Sequence, residues 1–583
     1  MKRLIVLLAG ALLLSGCTTI PTSSSPQVVR TLASPPRTSP AKVNGPQRGE
    51  GPDKVVSGFV NAGADADAGH STARQFLSAN AARRWQDNPT VILDETNIGD
   101  AVFSGDGSAT VPVTGRRVGQ LDAGGVFTPT LKGTGTGDQE TFNFSLTKTG
   151  GEWRIDQLQP GVLISATTFD SDYAARRLYF FDSSQRILVP DLRYSPLQGQ
   201  ALASWLLTQL QAGPRAELAQ SVVSDLPDQA GKSSVVIGNP MIVDIPGTGQ
   251  LSSPSQNAVS ALNGLAAQLA WTLSQVTYDN GQLRLTDSGK PVQVPGTQGL
   301  NFSNANFSAV GPTDATAGAE LYFLRAGSVF SGTGSPLSGL SGPGSHNLNS
   351  VAIRRNGGQA LLVAGFTAGG QFLIGDEQRL TPVPLRQDAT SRPDWRPYPA
   401  DDVWFGAGSH GGIYRVTTGQ PVNTVSITSQ LGGLPPGPVT ALRLSPDGER
   451  IALVLRGANG AGSVWIGSVV TSGADVRIDS LEPVTPPALS VTDLAWADPT
   501  RLLLVAASPG AAPLVWQVYS DGSKLSQLTY PGLPGPPTAV TAAGGQPPVV
   551  SAGGAIWVLK DGTWINPAST GLQLAGTNPV YAP

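Results

Sequence analysis

The sequence has little of the residue types that most often carry out chemistry. Only one cysteine, Cys17, occurs in 583 residues, so the chain can form no internal disulfide and no cysteine-based metal site. The three histidines, His70, His346 and His410, stand far apart, which argues against a histidine-based zinc site. Charged residues make up 14% of the chain, compared with about 25% in a typical globular protein. The formal net charge of −3 gives no basic surface for nucleic acid.

The N-terminal apolar run, residues 4–14, follows Lys2 and Arg3 and is too short to span a bilayer, which takes about 20 residues. This layout is typical of a secretory signal peptide. The apolar run ends in Leu-Ser-Gly-Cys at 14–17. These four residues resemble a lipobox, the signal for acylation of the cysteine sulfur and for cleavage of the chain just before the cysteine. We therefore predict a signal peptide over 1–16, a lipidated Cys17, and a place on the extracytoplasmic face of the cell membrane. The alternative is an ordinary signal peptide that happens to contain a cysteine.

A linker is predicted over 17–52, where Ser, Thr and seven prolines occur without hydrophobic periodicity. If it is extended, it reaches up to roughly 100 Å, enough to lift a folded body away from the lipid. A tail of no consequence is an equally open interpretation.

The segment 53–170 begins with apolar residues at helical spacing and continues with strand-like runs, which predicts an α+β cone. The stretches at 73–85 and 151–161 resemble the corresponding parts of NTF2-like lipoprotein domains. We expect Trp153 and Ile155 to fill the concave face of the sheet. A cone of this kind can hold a ligand, but packing of its interior is the favoured interpretation.

The segment 171–298 has the order strand, helix, strand pair, helix and hairpin. Its helices are predicted over 198–212 and 257–273, and Asp279-Asn280-Gly281 is a hairpin turn signal. The assembled order resembles the GerMN domain of germination and cell-surface proteins.

The segment 299–583 repeats a unit of two apolar stretches around a glycine-containing turn. Equivalent anchor positions are Ile353, Trp395, Leu444 and Trp496, which are 42, 49 and 52 residues apart. Strand-sized units with this period predict a β-propeller of about six blades, and the SPDG turn at 445–448 resembles the TolB-like propeller repeat. The fold class expected is thus multidomain and mainly β: an NTF2-like α+β cone, a GerMN α+β domain and a C-terminal β-propeller.

Catalytic and ligand-binding motifs are incomplete. The stretch 407–411 approximates a nucleophile elbow, but it is expected between two strands of a blade, where an elbow needs a strand followed by a helix. Residues 231–233 match the last three positions of a phosphate-binding loop, but the first glycine of that motif is missing. A calcium-like loop begins at Asp65 but has no terminal glutamate. The acid pair Asp401-Asp402 is interpreted as a solvated turn. We expect no catalytic, metal or cofactor residue and therefore no enzyme.

The order of these segments resembles the LpqB family of actinobacterial lipoproteins over the full length. The resemblance implies an accessory of an MtrA–MtrB-like two-component system that contacts the extracellular region of the sensor histidine kinase, in cell-envelope homeostasis and cell division. The alternative is a protein that binds or processes cell-wall polymer, with a site in the propeller or the NTF2-like cone. A structural spacer is a third interpretation. No nucleic-acid partner is expected.

Overall fold

The computed structural model describes residues 44–65, 69–131, 138–227, 232–252, 256–276, 281–312, 318–340, 346–356, 360–397, 402–417, 419, 421–427, 437–473, 475–567 and 574–582. Of 252, 256–260, 356 and 360, only the backbone is described. All of these residues belong to one compact unit, 43–583. Within them, no helix is both long enough and apolar enough to cross a bilayer.

The first part of this unit is a curled sheet with short helices packed against it. Its strands follow the order β6-β5-β3-β1-β7, with β2 and β4 paired to β3. The elements in chain order are α1 (Pro52–Ala62), α2 (Ser71–Arg74), α3 (Ala79–Arg84), β1 (Thr90–Ile98), β2 (Val102–Phe103), β3 (Ser108–Leu121), β4 (Phe127–Pro129), β5 (Gln139–Thr149), β6 (Glu152–Gln157), β7 (Val162–Ser165) and α4 (Ala166–Asp172).

The interior of the curled sheet is packed with side chains. Val111 and Val113 in β3 face Phe144 and Phe142 in the paired strand β5, so alternate residues of both strands point into one core. The α1 helix adds Phe59, whose ring lies 5.7 Å from that of Phe144. The predicted core positions Trp153 and Ile155 are both buried in this same cluster.

The helical spacing seen over 73–85 is interrupted in the structure. Helix α2 ends at Arg74, a turn follows at 75–76, and Leu77 then forms a bridge with Ile155 of β6. In this bridge, Ile155 N donates to Phe76 O (3.0 Å) and Ser78 N donates to Ile155 O (2.8 Å). Ser78 then caps α3, since its hydroxyl oxygen accepts from Ala81 N at 3.1 Å.

The middle part has two small sheets, ordered β10-β8-β9 and β11-β12-β13-β14 with β15 paired to β13, and two long helices. Its elements are β8 (Ala174–Asp182), β9 (Leu188–Ser195), α5 (Gly199–Ala212), β10 (Val222–Val223), β11 (Ser234–Val236), β12 (Met241–Asp244), α6 (Gln256–Leu273), β13 (Leu283–Asp287), β14 (Lys290–Pro291) and β15 (Asn301–Phe302), with 3₁₀ turns at Thr248–Ser252 and Asn304–Val310. Both helices lie close to their predicted ranges. The predicted turn residues Asp279 and Asn280 lie outside the described residues.

The last turns of helix α6 and the turn after it cover the edge of strand β8 with polar side chains in place of another strand. The Gln275 side chain accepts from Arg177 N (2.8 Å) and donates to Arg177 O (2.6 Å). One and two turns earlier, the Thr272 hydroxyl accepts from Tyr179 N (3.2 Å), and Gln268 donates to Tyr179 O (2.9 Å). Because buried main-chain groups without partners are costly, this row of side chains closes an otherwise open sheet edge.

The last part is a propeller of six sheets among the described residues. Its strands are β16 (Glu320–Arg325), β17 (Ser328–Ser331), β18 (Leu348–Asn356), β19 (Ala360–Thr367), β20 (Phe372–Asp376), β21 (Leu380–Val383), β22 (Asp394–Trp395), β23 (Asp402–Ala407), β24 (Gly412–Thr417), β25 (Asn423–Thr424), β26 (Ser426–Ile427), β27 (Val439–Leu444), β28 (Arg450–Arg456), β29 (Gly462–Ser472), β30 (Asp475–Pro483), β31 (Ser490–Asp498), β32 (Arg501–Ala507), β33 (Leu514–Tyr519), β34 (Ser526–Gln527), β35 (Pro537–Thr541), β36 (Val549–Ala552), β37 (Ala555–Lys560), β38 (Thr563–Ile565) and β39 (Thr577–Ala582).

The ring of blades is closed by a strand from the far end of the segment. Five sheets are built from consecutive strands, whereas the sixth joins β39 to β16 and β17. The innermost strands β18, β22, β27, β31, β35 and β39 contact one another in that cyclic order. This closure completes the ring, in which each innermost strand is the end strand of its own sheet and the short inner edges are protected by the neighbouring blades.

Candidate functional site

The predicted lipidation residue, Cys17, lies outside the described residues, so its lipidation stays a prediction. The three histidines lie in three separate places. His70 is buried, and its Nδ1 lies 3.1 Å from an Asp87 carboxylate oxygen, beside Trp85. No group of three His, Cys, Asp or Glu side chains in the described part of the chain is arranged to hold a metal ion.

The elbow-like stretch is an exposed turn between two strands. Ser409 Oγ and His410 Nδ1 are 2.8 Å apart, yet the chain enters from β23 and leaves into β24. The strand–turn–helix setting that exposes the side chain of a nucleophile is therefore missing. Gly231 of the phosphate-loop-like segment and Asp67 of the calcium-like segment lie outside the described residues.

The interpretation of Asp402 as a solvated turn residue was wrong. Asp402 is only 3% exposed and begins strand β23. Its carboxylate lies 3.1 Å from Arg415 Nη1 and accepts from the Thr417 hydroxyl at 2.6 Å, both across the pair with β24. The buried ion pair with Arg415, 13 residues later in the same blade, explains why this carboxylate can be buried.

A cavity of about 250 Å³ lies at the axis of the propeller and is lined by all six innermost strands. The four anchor positions deduced from the repeat all line it: Ile353, Trp395, Leu444 and Trp496. The residues that define the sequence period thus line one cavity at the centre of the ring.

The two anchor tryptophans tie neighbouring blades together. Trp395 Nε1 donates to Ala352 O (3.2 Å) in the blade before it, and Trp496 Nε1 donates to Arg443 O (3.0 Å) in the same way. Both acceptors stand one position before an anchor residue. Because the indoles are 7% and 4% exposed and already paired, they serve packing between blades.

Charged groups line the same cavity. Asp394 accepts from Leu444 N of the next blade (2.8 Å), and burial raises the pKa of Asp394 to about 6, against the attraction of the nearby Arg443. Arg443 is itself buried, which lowers its pKa. Asp493 joins Arg443 (3.9 Å) to Arg392 (2.5 Å). The cavity wall itself carries three cationic side chains and one carboxylate, those of Arg354, Arg355, Arg443 and Asp394.

The SPDG turn forms a joint between the propeller and the middle part. Asp447 of this turn accepts from the Ser445 hydroxyl and from Glu449 N, and its other oxygen lies 3.2 Å from Arg450 Nη1. Arg450 then donates through Nη2 to the main-chain oxygen of Pro190 in β9. The turn therefore holds a buried guanidinium against another domain.

A second turn of the next blade makes a matching contact. The hydroxyls of Tyr194 and Ser523 form a buried hydrogen bond between β9 and the loop after β33. The neighbouring Lys524 Nζ donates to the main-chain oxygens of Phe169 (3.1 Å) and Asp170 (3.1 Å) at the end of the curled-sheet part. All three parts of the unit thus meet at the two neighbouring blades formed by β26–β30 and by β31–β34.

Sequence reasoning missed these joint residues. A signal was present, since SPDGER at 445–450 and SDGSK at 520–524 both place a cation shortly after an Asp-Gly turn. The local pattern fixes the turns, but which surface the cations meet depends on contacts 260 and more residues away in sequence.

Comparison with protein families assigns a known model to each part. Residues 45–170 match "Lipoprotein LpqB, N-terminal domain", 177–293 match the model named Germane, "Sporulation and spore germination", and 327–582 match "Lipoprotein LpqB beta-propeller domain". The predicted classes of the three domains are confirmed, and no catalytic domain is identified.

Full-length relatives agree with these matches. Lipoprotein LpqB of Rhodococcus jostii is 29% identical over 572 residues, which cover 92% of this chain and 90% of that protein. Lipoprotein LpqB of Mycobacterium ulcerans is 30% identical and covers 78% of this chain and 79% of its own length. Among solved structures, TolB from Acinetobacter baumannii matches 46% of this chain and 67% of that one, with 14% identity and a TM-score of 0.32.

Proposed function

Since the chain belongs to the family of LpqB lipoproteins, we propose that it is a lipid-anchored accessory of a membrane sensor histidine kinase of the MtrB type. It acts on the extracytoplasmic face through protein contacts, in cell-envelope homeostasis and cell division. The observation that carries the proposal is the combination of a lipobox at Cys17 with three folded parts joined by buried polar contacts.

The anchor is the acylated sulfur of Cys17. One acyl chain holds a protein only marginally at a membrane, whereas two hold it stably, at about 0.8 kcal/mol for each buried CH₂. A diacylglyceryl group supplies two chains. The segment 17–52 is the tether, and we propose that the domains extend over 53–170, 171–298 and 299–583.

The joined body acts as an adaptor. A surface already fixed by contacts such as Arg450 with Pro190 pays little ordering entropy on binding a partner. To change signalling, it must bind one state of the kinase better than the other, because a ligand shifts an equilibrium only by its differential affinity. Anchoring raises the local concentration near the membrane-bound kinase without a new contact.

The test reconstitutes the full-length lipoprotein and the kinase together in proteoliposomes and measures autophosphorylation. We expect kinase output to change when the lipoprotein is present and to return toward its basal level with a Cys17→Ser chain at the same total concentration. Equal output with the anchored protein, with the unanchored variant and without either would overturn the proposal.

A second candidate function has support in the propeller cavity. Its wall carries Arg354, Arg355 and Arg443, which suit an anionic fragment of a wall polymer. Titration of the full-length protein with soluble anionic wall fragments tests this function. Binding that is lost in Arg443→Met but retained in Arg456→Met, on the exposed end of β28, would favour it; no binding would dismiss it.

A further inference from the structure

A cleft of about 360 Å³ opens in the middle domain, away from the propeller axis. Its walls are helix α6, the turn after β8 and the segment 295–310. Part of its lining is apolar, with the rings of Phe181 and Phe307 and the aliphatic side chains of Ala267 and Val310; polar side chains make up the rest.

One carboxylate, that of Asp225, stands at this cleft. Its Oδ1 accepts from Gln185 Nε2 (2.9 Å) and its main-chain N donates to Gln268 (2.7 Å). Neither neighbour carries a charge. Arg186, in the same turn as Gln185, directs its Nε to Ser184 (3.1 Å). No basic side chain forms an ion pair with Asp225 within the described ranges, and burial raises the pKa of Asp225 to about 6.

Helix α6 makes room for this carboxylate. A Cβ at Gly264 would overlap Asp225 Oδ2, so the bare backbone of the glycine is what lets the acid lie against the helix. The preceding residue, Asn263, also lines the cleft, and its buried Oδ1 has no hydrogen-bond partner among the described residues. Apart from the contact of Gln185 with Asp225 Oδ1, the oxygens Asp225 Oδ2 and Asn263 Oδ1 accept no hydrogen bond from the described residues.

We propose that this cleft binds a small molecule that carries a primary ammonium group on an apolar body. The ammonium has three donors and a positive charge, which match the Asp225 carboxylate and the Asn263 oxygen. The apolar body packs against Phe181 and Phe307, in a cavity of the size range that ligand pockets have. The inference does not depend on the proposed kinase partner, since it concerns a different surface and ligand.

The test uses the full-length protein in micelles of a neutral detergent and two fluorinated probes followed by ¹⁹F NMR. 4-Fluorobenzylamine carries the ammonium, and 4-fluorobenzyl alcohol is its neutral counterpart. We expect the amine to bind about tenfold or more tightly than the alcohol, the effect of a charge-assisted hydrogen bond. Binding of the amine should also strengthen from about pH 5 to about pH 7.5, as Asp225 loses its proton while the amine keeps its own.

The variants Asp225→Asn and Asp561→Asn separate a specific site from general attraction. The first removes the charge at the cleft with little change of shape, and the second removes an exposed acid in the turn after β37. We expect the first to abolish both the preference for the amine and its pH dependence, and the second to change neither. Equal affinity for the two probes, a pH-independent affinity for the amine, or no binding by the folded wild-type protein would each overturn the proposal.

Discussion

Arg450 of the propeller donates a hydrogen bond to the main-chain oxygen of Pro190, 260 residues earlier, while Asp447 holds the same guanidinium at 3.2 Å. Both charged side chains are almost completely buried. Such a pair is strongly destabilising to break, because removing one member leaves an uncompensated charge inside the protein. The signature turn of the repeat thus serves two purposes: it shapes a blade and fixes the blade to the neighbouring domain.

The first prediction concerns this pair. Arg450→Met should lower the free energy of unfolding by about 3–5 kcal/mol, since Asp447 keeps its charge and loses its partner. Urea unfolding followed by tryptophan fluorescence measures the change. Arg456→Met, on the exposed end of the same strand, is the control and should have little effect. A loss no greater than that of the control would show that the joint does not depend on Arg450.

The second prediction concerns pH. Burial raises the pKa of Glu449 to about 8, although Arg396 lies 3.8 Å away and opposes the shift, as does Arg450; Asp447 and Asp182 strengthen it. A carboxyl group with a raised pKa binds more protons in the folded than in the unfolded state, so stability falls as pH rises between the two pKa values. We expect the free energy of unfolding to decrease from about pH 5 to about pH 8, by up to a few kcal/mol.

Replacement of this acid should flatten that dependence. Glu449→Gln removes the titration of this side chain, so the free energy of unfolding should decrease less with rising pH. Asp394 still contributes to the remaining decrease, because its pKa is raised to about 6. Glu95→Gln, at an exposed position in β1, should keep the wild-type slope. Thermal unfolding across the pH range compares the three proteins, and identical slopes for all of them would contradict the assignment.

The third prediction concerns the edge of β8. Gln275→Leu leaves Arg177 N and Arg177 O without their side-chain partner. The expected loss of stability is about 2 kcal/mol, the cost of depriving two part-buried main-chain groups of this side-chain partner. Gln378→Leu, in an exposed turn, is the matched control. Hydrogen exchange should locate the effect, with faster exchange at Arg177 N; unchanged protection there would refute the capping role of α6.

The fourth prediction concerns the anchor. Mass spectrometry of protein from cell membranes should find the mature chain beginning at Cys17 with a diacylglyceryl thioether on its sulfur. Cys17→Ser should lack the lipid, whereas Ser15→Ala, which keeps a small residue before the cleavage point, should retain it. An unmodified thiol at Cys17 in the membrane-derived protein would rule out lipid anchoring through this residue.

Much of the architecture could be predicted from local patterns. The repeat period placed Ile353, Trp395, Leu444 and Trp496 at equivalent positions, and all four line the central cavity of the propeller. Apolar spacing found both long helices of the middle domain, because each buries one side against a sheet. Period and spacing are properties of single elements, so one sequence is enough to read them.

The contacts between elements could not be predicted in this way. Nothing in the local pattern distinguishes Gln268, within the predicted helix, or Gln275, just after it, yet their side chains complete a strand edge about 90 to 100 residues away. Asp402 was predicted to be a turn residue, because the pairing of β23 with β24, which brings Arg415 next to it, cannot be deduced from the local sequence. The cleft at Asp225 likewise depends on Gly264, which in the sequence is one small residue within a helix.

Photo-crosslinking in living cells tests the central claim most directly. A photoreactive residue placed at exposed positions of the propeller, such as Tyr530 or Leu514, should capture the extracytoplasmic region of the sensor kinase. The capture should depend on Cys17, since the anchor supplies the local concentration. Efficient crosslinking to other proteins but never to the kinase, from positions around the whole propeller, would contradict the account.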